Sequence, residues 1–157
     1  MPRQRLRSMP DQHRDGVVVT VNDEGAPDAV SAFIERGVRA ALGHEGVADG
    51  EVSVTLLDDA RIREMNASYL ERDRPTDVIA FSLGGPGDVL GDVYIGHEQA
   101  ARQAAEYGET LATELLRLAI HGTLHVLGHD HPEGSERLES PMFVLQERLV
   151  AEVLSAD

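Results

Sequence analysis

Residues 109–131 read ETLATELLRLAIHGTLHVLGHDH, and the reading of this stretch decides both the fold class and the chemistry. From Glu109 to Leu127 it predicts the most strongly apolar helix of the chain. Gly128 stops that helix, because glycine takes up the positive φ that turns the backbone away from the helix axis. Residues four apart share a helix face, so His121 and His125 can present ring nitrogens to one ion, and the turn at Gly128 lets His131 approach from the far side. Three neutral imidazoles with a fourth position open are the catalytic form of a zinc site, whereas structural sites close with four protein ligands. The spacing therefore predicts a metal-dependent hydrolase that binds one Zn2+ per chain through His121, His125 and His131. His129 could rival His131, but its place directly after the glycine is expected to aim it away.

Outward from this helix the chain alternates between two periodicities. Val17 to Val21 is a β-branched run, and Asp28 to Leu42 has helical spacing through Val30, Phe33, Ile34, Val38 and Leu42. Glu51 to Leu57 alternates as a strand does, and Asp58 and Asp59 are suited to cap a helix reaching about Leu70. Asp77 to Leu83 and Val89 to Ile95 predict two strands joined by Gly84-Gly85-Pro86-Gly87, as a sheet edge or hairpin. Helices are expected from Glu98 to Tyr107 and after Pro141. This order predicts an α+β fold in which a mixed four-stranded sheet packs against helices. Residues 1–15, with Arg3, Arg5, Arg7, Arg14 and two prolines, are expected to be a flexible basic arm. Residues 16–157 are expected to form a single hydrolase domain.

The 157 residues suit one domain able to bury its core without disulfides, and the absence of cysteine leaves imidazole and carboxylate as the donors for a transition metal. No run approaches the ~18 apolar residues of a membrane span, and no apolar segment follows the N-terminal arginines as in a signal peptide. A cytoplasmic protein without a membrane partner is expected. The net charge of −14 argues against nucleic acid, because phosphates are bound through basic groups that displace counterions. All fourteen basic residues are arginine, however, and Arg61, Arg63, Arg72 and Arg74 fall close together. The arginine fork clamps phosphate well, although solvated surface residues are the simpler reading of these four.

The three-histidine spacing and its glycine are shared with the metzincin proteases, but their glutamate base after the first histidine is replaced here by Gly122. A peptidase of that type is disfavoured. Met142 invites comparison with the metzincin Met-turn, yet its place before Phe143 and Leu145 fits a buried helix face. His97, at a helix start beside Glu98, and His13 and His44 are read as surface or helix-end residues.

The stretch His121 to His131 is similar to H-G-x-L-H-L-x-G-Y-D-H of the YbeY family, zinc-containing endoribonucleases implicated in rRNA maturation. Pro75 to Phe81 resembles the family's P-T-D-V-L-S-F, and Leu90-Gly91-Asp92-Val93 its L-G-D-I strand; the resemblance runs from about Val17 to the C-terminus. It implies zinc-dependent, single-strand-specific cleavage of RNA in rRNA maturation and ribosome quality control. The implied partners are rRNA of the small-subunit precursor, the ribosome and its assembly factors, without a nucleotide cofactor. The family arginine that follows the Tyr-like position is here Leu70, which cannot contact phosphate, and Arg72 or Arg74 could take its place. Asp92 could orient a ligand histidine or close a turn; Glu114 could do the former or pair with an arginine. The alternatives are a metal-dependent amidase or peptidase and a non-catalytic, zinc-stabilised ribosome assembly factor.

Overall fold

The structure, a computed structural model, describes residues 16–26, 28–71 and 76–156. The expected arm and both Arg72 and Arg74 lie outside the described residues. In chain order the elements are β1 (Gly16–Asn22), α1 (Asp28–His44), β2 (Asp49–Leu57), α2 (Asp59–Leu70), β3 (Val78–Ser82) and β4 (Leu90–Gly96). Then follow α3 (His97–Tyr107), α4 (Leu111–Val126), a 3-10 helix (Gly134–Glu139) and α5 (Pro141–Ser155). The sheet has the order β1-β2-β4-β3; β1, β2 and β4 run parallel and β3 antiparallel to β4, so it is the expected mixed four-stranded sheet.

Local chemistry sets the element ends. The Asp58 side chain accepts from the Arg61 amide at 2.9 Å, Thr110 from Thr113 at 3.1 Å and Ser140 from Phe143 at 3.2 Å, each satisfying an amide that the first helical turn leaves without a partner. Between β3 and β4, Gly85 to Asp88 form a turn closed by a 3.0 Å bond from the Asp88 amide to the Gly85 carbonyl. Pro86 and Gly87, at φ +87°, occupy the two central positions that a type II turn favours for these residues.

Alternation along the strands divides the molecule into two layers. Val52, Val54, Val93 and Ile95 face α1 and α4 in the main core, which includes Ile34, Val38, Leu115 and Ala119. A second cluster joins α4 to α5 through Leu116, Ile120, Leu124, Met142 and Leu149, so Met142 is a core residue of α5. On the opposite face a smaller cluster of Leu57, Ile62 and Ile79 lies beneath α2. Helix α4 is thus held by the sheet on one side and by α1, α3 and α5 on the others. It approaches β4 closely because Gly122 lies against Val93 and Gly91 against Val126.

Candidate metal centre

Helix α4 carries His121 and His125 one turn apart, where they line a cleft of about 860 Å³ between β3 and the α5 side. The helix ends in a Schellman arrangement. Gly128 has φ +99°, its amide donates to the His125 carbonyl at 3.0 Å, and the His129 amide donates to the Leu124 carbonyl at 2.9 Å. This turn carries the chain back so that His131 joins the other two. One ring nitrogen from each of the three lies within 4.8 Å of the others, and the ring centroids are 4.7–5.1 Å apart.

Every Nδ1 in the group faces an oxygen that can only accept. His121 Nδ1 donates to Gln146 Oε1 at 2.6 Å, His125 Nδ1 to the His129 carbonyl at 3.1 Å and His131 Nδ1 to the Pro132 carbonyl at 3.0 Å. The Gln146 amide is itself oriented, since its Nε2 donates to Glu147 at 2.9 Å. With the proton held on Nδ1, each Nε2 is left as a lone pair. The Nε2 atoms of His121 and His125 stand 3.1 Å apart. Two lone pairs at that distance repel, whereas two nitrogens bound tetrahedrally at ~2.0–2.1 Å from zinc stand roughly 3.3 Å apart. The donor set therefore fits a cation, with its open side towards the cleft.

Burial pushes the pKa of both His121 and His125 down, and the neighbouring histidines push the same way. The neutral rings that a metal requires thus persist below the ordinary 6.5. The consequence for the metal-free protein has a definite sign. Below 6.5 the unfolded chain takes up protons that the folded chain refuses, so folding stability is full above that value and declines as pH falls towards the lowered native pKa values. Urea midpoints of chelator-treated protein at pH 7.5 and 5.5 are expected to show the loss, and a His121→Gln/His125→Gln variant to show less of it. Equal pH dependence in the two proteins would refute the assignment.

The remaining sequence candidates fall into different places. His129 turns away to Glu45, 3.2 Å from its Nε2. His97 begins α3 near Asp58, and His44 lies beside Arg148. Asp92 neighbours Val93 in β4, so its side chain emerges on the sheet face opposite α4, where the Tyr94 hydroxyl donates to it at 3.4 Å. Glu114 is 3% exposed and accepts from Gln103 and Arg117, both at 2.8 Å, so of its two sequence readings the structure shows the arginine pair. Leu70, at the end of α2, lines the cleft.

Two residues of the site were missed in the sequence. Arg117 stands four before His121 on the same α4 face, and Glu109, Glu114 and Glu147 surround its guanidinium. These carboxylates raise its pKa despite burial. Through Glu147 and Gln146 this ion cluster reaches the His121 ring. The i, i+4, i+8 series of Arg117, His121 and His125 was a legible signal for it. Arg137, at the cleft rim in the 3-10 helix, lies near enough to His121 to help lower its pKa. Among the described residues, no carboxylate lies within ion-pair distance of Arg137.

A mixed sheet beneath a helix bearing two histidines, with a third supplied after a glycine turn, defines a single α+β domain whose histidine cluster could hold a metal ion. The model of the family described as endoribonuclease YbeY matches residues 19–154. The Bacillus licheniformis protein named endoribonuclease YbeY is 39% identical over 149 residues, covering 85% of this chain and 93% of that one. Its counterpart of the same name from Moorella thermoacetica is 50% identical over 111 residues, 62% of this chain and 71% of that one. The solution structure of a Thermotoga maritima protein superposes with a TM-score of 0.65 at 31% identity, covering 88% and 90% of the two chains. The chain belongs to the YbeY family.

Proposed function

We propose that this protein is a zinc-dependent, single-strand-specific endoribonuclease that acts in the cytoplasm on rRNA of the small-subunit precursor, with the ribosome and its assembly factors as partners. The observation that carries this reading is the convergence of three Nε2 lone pairs, each fixed by an Nδ1 hydrogen bond, on a cleft large enough for a nucleotide chain. Three imidazoles without a thiolate suit zinc among the first-row metals. An ion held there supplies Lewis acidity towards a phosphodiester and lowers the pKa of nearby water. The protein's own groups supply the rest. The Nδ1 acceptors hold the rings, Gln146 transmits the anchoring of Glu147 and Arg117 to His121, and Arg137 stands at the rim as a cation able to meet phosphate. Arg72 and Arg74, just beyond Leu70, are the further candidates for the phosphate contact that the family arginine would make.

The acidic lining argues for a short, local phosphate contact rather than a broad electrostatic one. Asp77, Glu109, Glu114 and Glu147 line the cleft against Arg117 and Arg137. A test uses elemental analysis together with cleavage of a single-stranded RNA and of a peptide, before and after chelator. The expected result is about one zinc per chain, scission of the RNA alone, its loss with chelator and its return with zinc. Zinc-replete protein that cleaves neither substrate would leave the assembly-factor reading, and scission of the peptide alone would establish the amidase reading.

A further inference from the structure

Strand β3 is the sheet edge that borders the cleft, and its register determines which of its backbone groups are free. The Leu83 amide donates to the Leu90 carbonyl at 2.7 Å and the Gly96 amide to the Asp77 carbonyl at 2.9 Å. In an antiparallel ladder the residues that exchange bonds alternate with residues that face away. With Ile79 opposite Tyr94 and Phe81 opposite Asp92, the odd-numbered residues bond to β4. The amides and carbonyls of Val78, Ala80 and Ser82 therefore point out of the sheet, and all three residues line the cleft that holds the histidines. Among the described residues, β4 is the sole strand paired with β3.

We infer that this free edge of β3 reads the bases of single-stranded RNA, its outward amides and carbonyls at Val78, Ala80 and Ser82 bonding to base edges while the chain crosses the histidine site. The inference rests on the endoribonuclease reading and gives its single-strand preference a cause. Two residues of strand advance roughly 6.8 Å, a step that an extended nucleotide chain can match. Each step offers a donor and an acceptor, which base edges complement. In a duplex those edges are already paired to each other, so a helix has nothing to offer the strand. The cleft also presents apolar and aromatic surface for base faces, namely Tyr107, 67% exposed, with Phe143, Leu70 and Leu138. A peptide strand could use the edge but has less use for ring faces. The metzincin position for the base of amide hydrolysis is Gly122, packed against Val93.

Proline tests the edge selectively, because Ala80→Pro removes an outward amide that β4 does not use, and edge strands tolerate proline there. Ser82→Pro removes the next one along and serves if the first variant fails to fold. Both are assayed with zinc bound, by metal content, circular dichroism, KM for a single-stranded oligoribonucleotide and inhibition by an abasic phosphodiester of equal length. The expected result is a folded, metal-loaded variant whose KM rises about tenfold, the effect of one lost hydrogen bond of about 1.4 kcal/mol, while inhibition by the abasic strand stays as in the wild type. Wild-type KM in both folded variants overturns the inference and leaves the endoribonuclease reading standing. Zinc-loaded wild type that neither binds nor cleaves RNA removes that reading and this inference with it. An extended peptide that displaces RNA from the wild type and loses affinity in the variants, whose RNA KM is unchanged, assigns the edge to a protein strand and overturns it.

Discussion

His131→Ala is expected to lower zinc affinity more than about 100-fold and abolish RNA cleavage, while His129→Ala leaves both close to the wild type. Removing a group that merely orients a metal ligand costs about 10–100-fold in affinity, so removing a ligand must exceed that. His131 contributes one of the three nitrogens gathered within 4.8 Å. The His129 side chain contacts Glu45 instead, and the part of His129 that serves the site is its carbonyl, which accepts from His125 and survives truncation to alanine. Competition titration against a chromophoric zinc chelator separates the two variants. Equal losses would mean that the ligand set is wrong.

The second large effect concerns Gly122, where a glutamate would recreate the metzincin sequence. Gly122→Glu is expected to destabilise the protein by more than about 4 kcal/mol, a large part of the 5–15 kcal/mol typical of a domain. A Cβ at this position would lie 2.5 Å from Val93 Cγ1 and 3.1 Å from Cγ2. Val93 is fully buried and β-branched, so it cannot rotate aside. Overpacking alone costs about 1–3 kcal/mol, and the glutamate adds a carboxylate without a partner against the sheet. Gly122→Ala isolates the packing part, and its helix-propensity gain of about 1 kcal/mol offsets some of the loss. Urea denaturation measures both. A stable Gly122→Glu protein that cleaves peptides would refute the packing argument and revive the protease comparison.

The glycine illustrates what the sequence could and could not reveal. That Gly122 removes a proton acceptor was legible from the spacing; that the position faces β4 depends on which side of α4 the sheet occupies. Helix periodicity made the i, i+4 histidines visible, and the positive φ of Gly128 is a property of that residue alone, so the His131 turn was legible too. A β-branched run disclosed β1 and alternation disclosed β2, while β3 and β4 were marked by the Gly-Gly-Pro-Gly connection between them. The parity of β4 was not available, and parity puts Asp92 on the face away from the histidines while Val93 meets Gly122. The 3-10 helix from Gly134 to Glu139 has no apolar period to betray it, so Arg137 went unnoticed. The bond between Gln146 and His121 spans 25 residues of chain and exists only once α5 packs on α4.

Helix ends are ordinarily the first places where a fold opens, because their last carbonyls hold few bonds. In this protein the bond that closes the end of α4 and the bond that orients a ligand share one residue: His129 donates its amide to Leu124 and offers its carbonyl to His125. Unwinding the last turn therefore releases the His125 ring and carries His131 away with the outgoing chain. Whatever free energy an ion contributes by binding the three rings is then set directly against opening of this terminus. A segment that would otherwise be among the most labile in the domain becomes, with the metal in place, one of the last to exchange its amide protons.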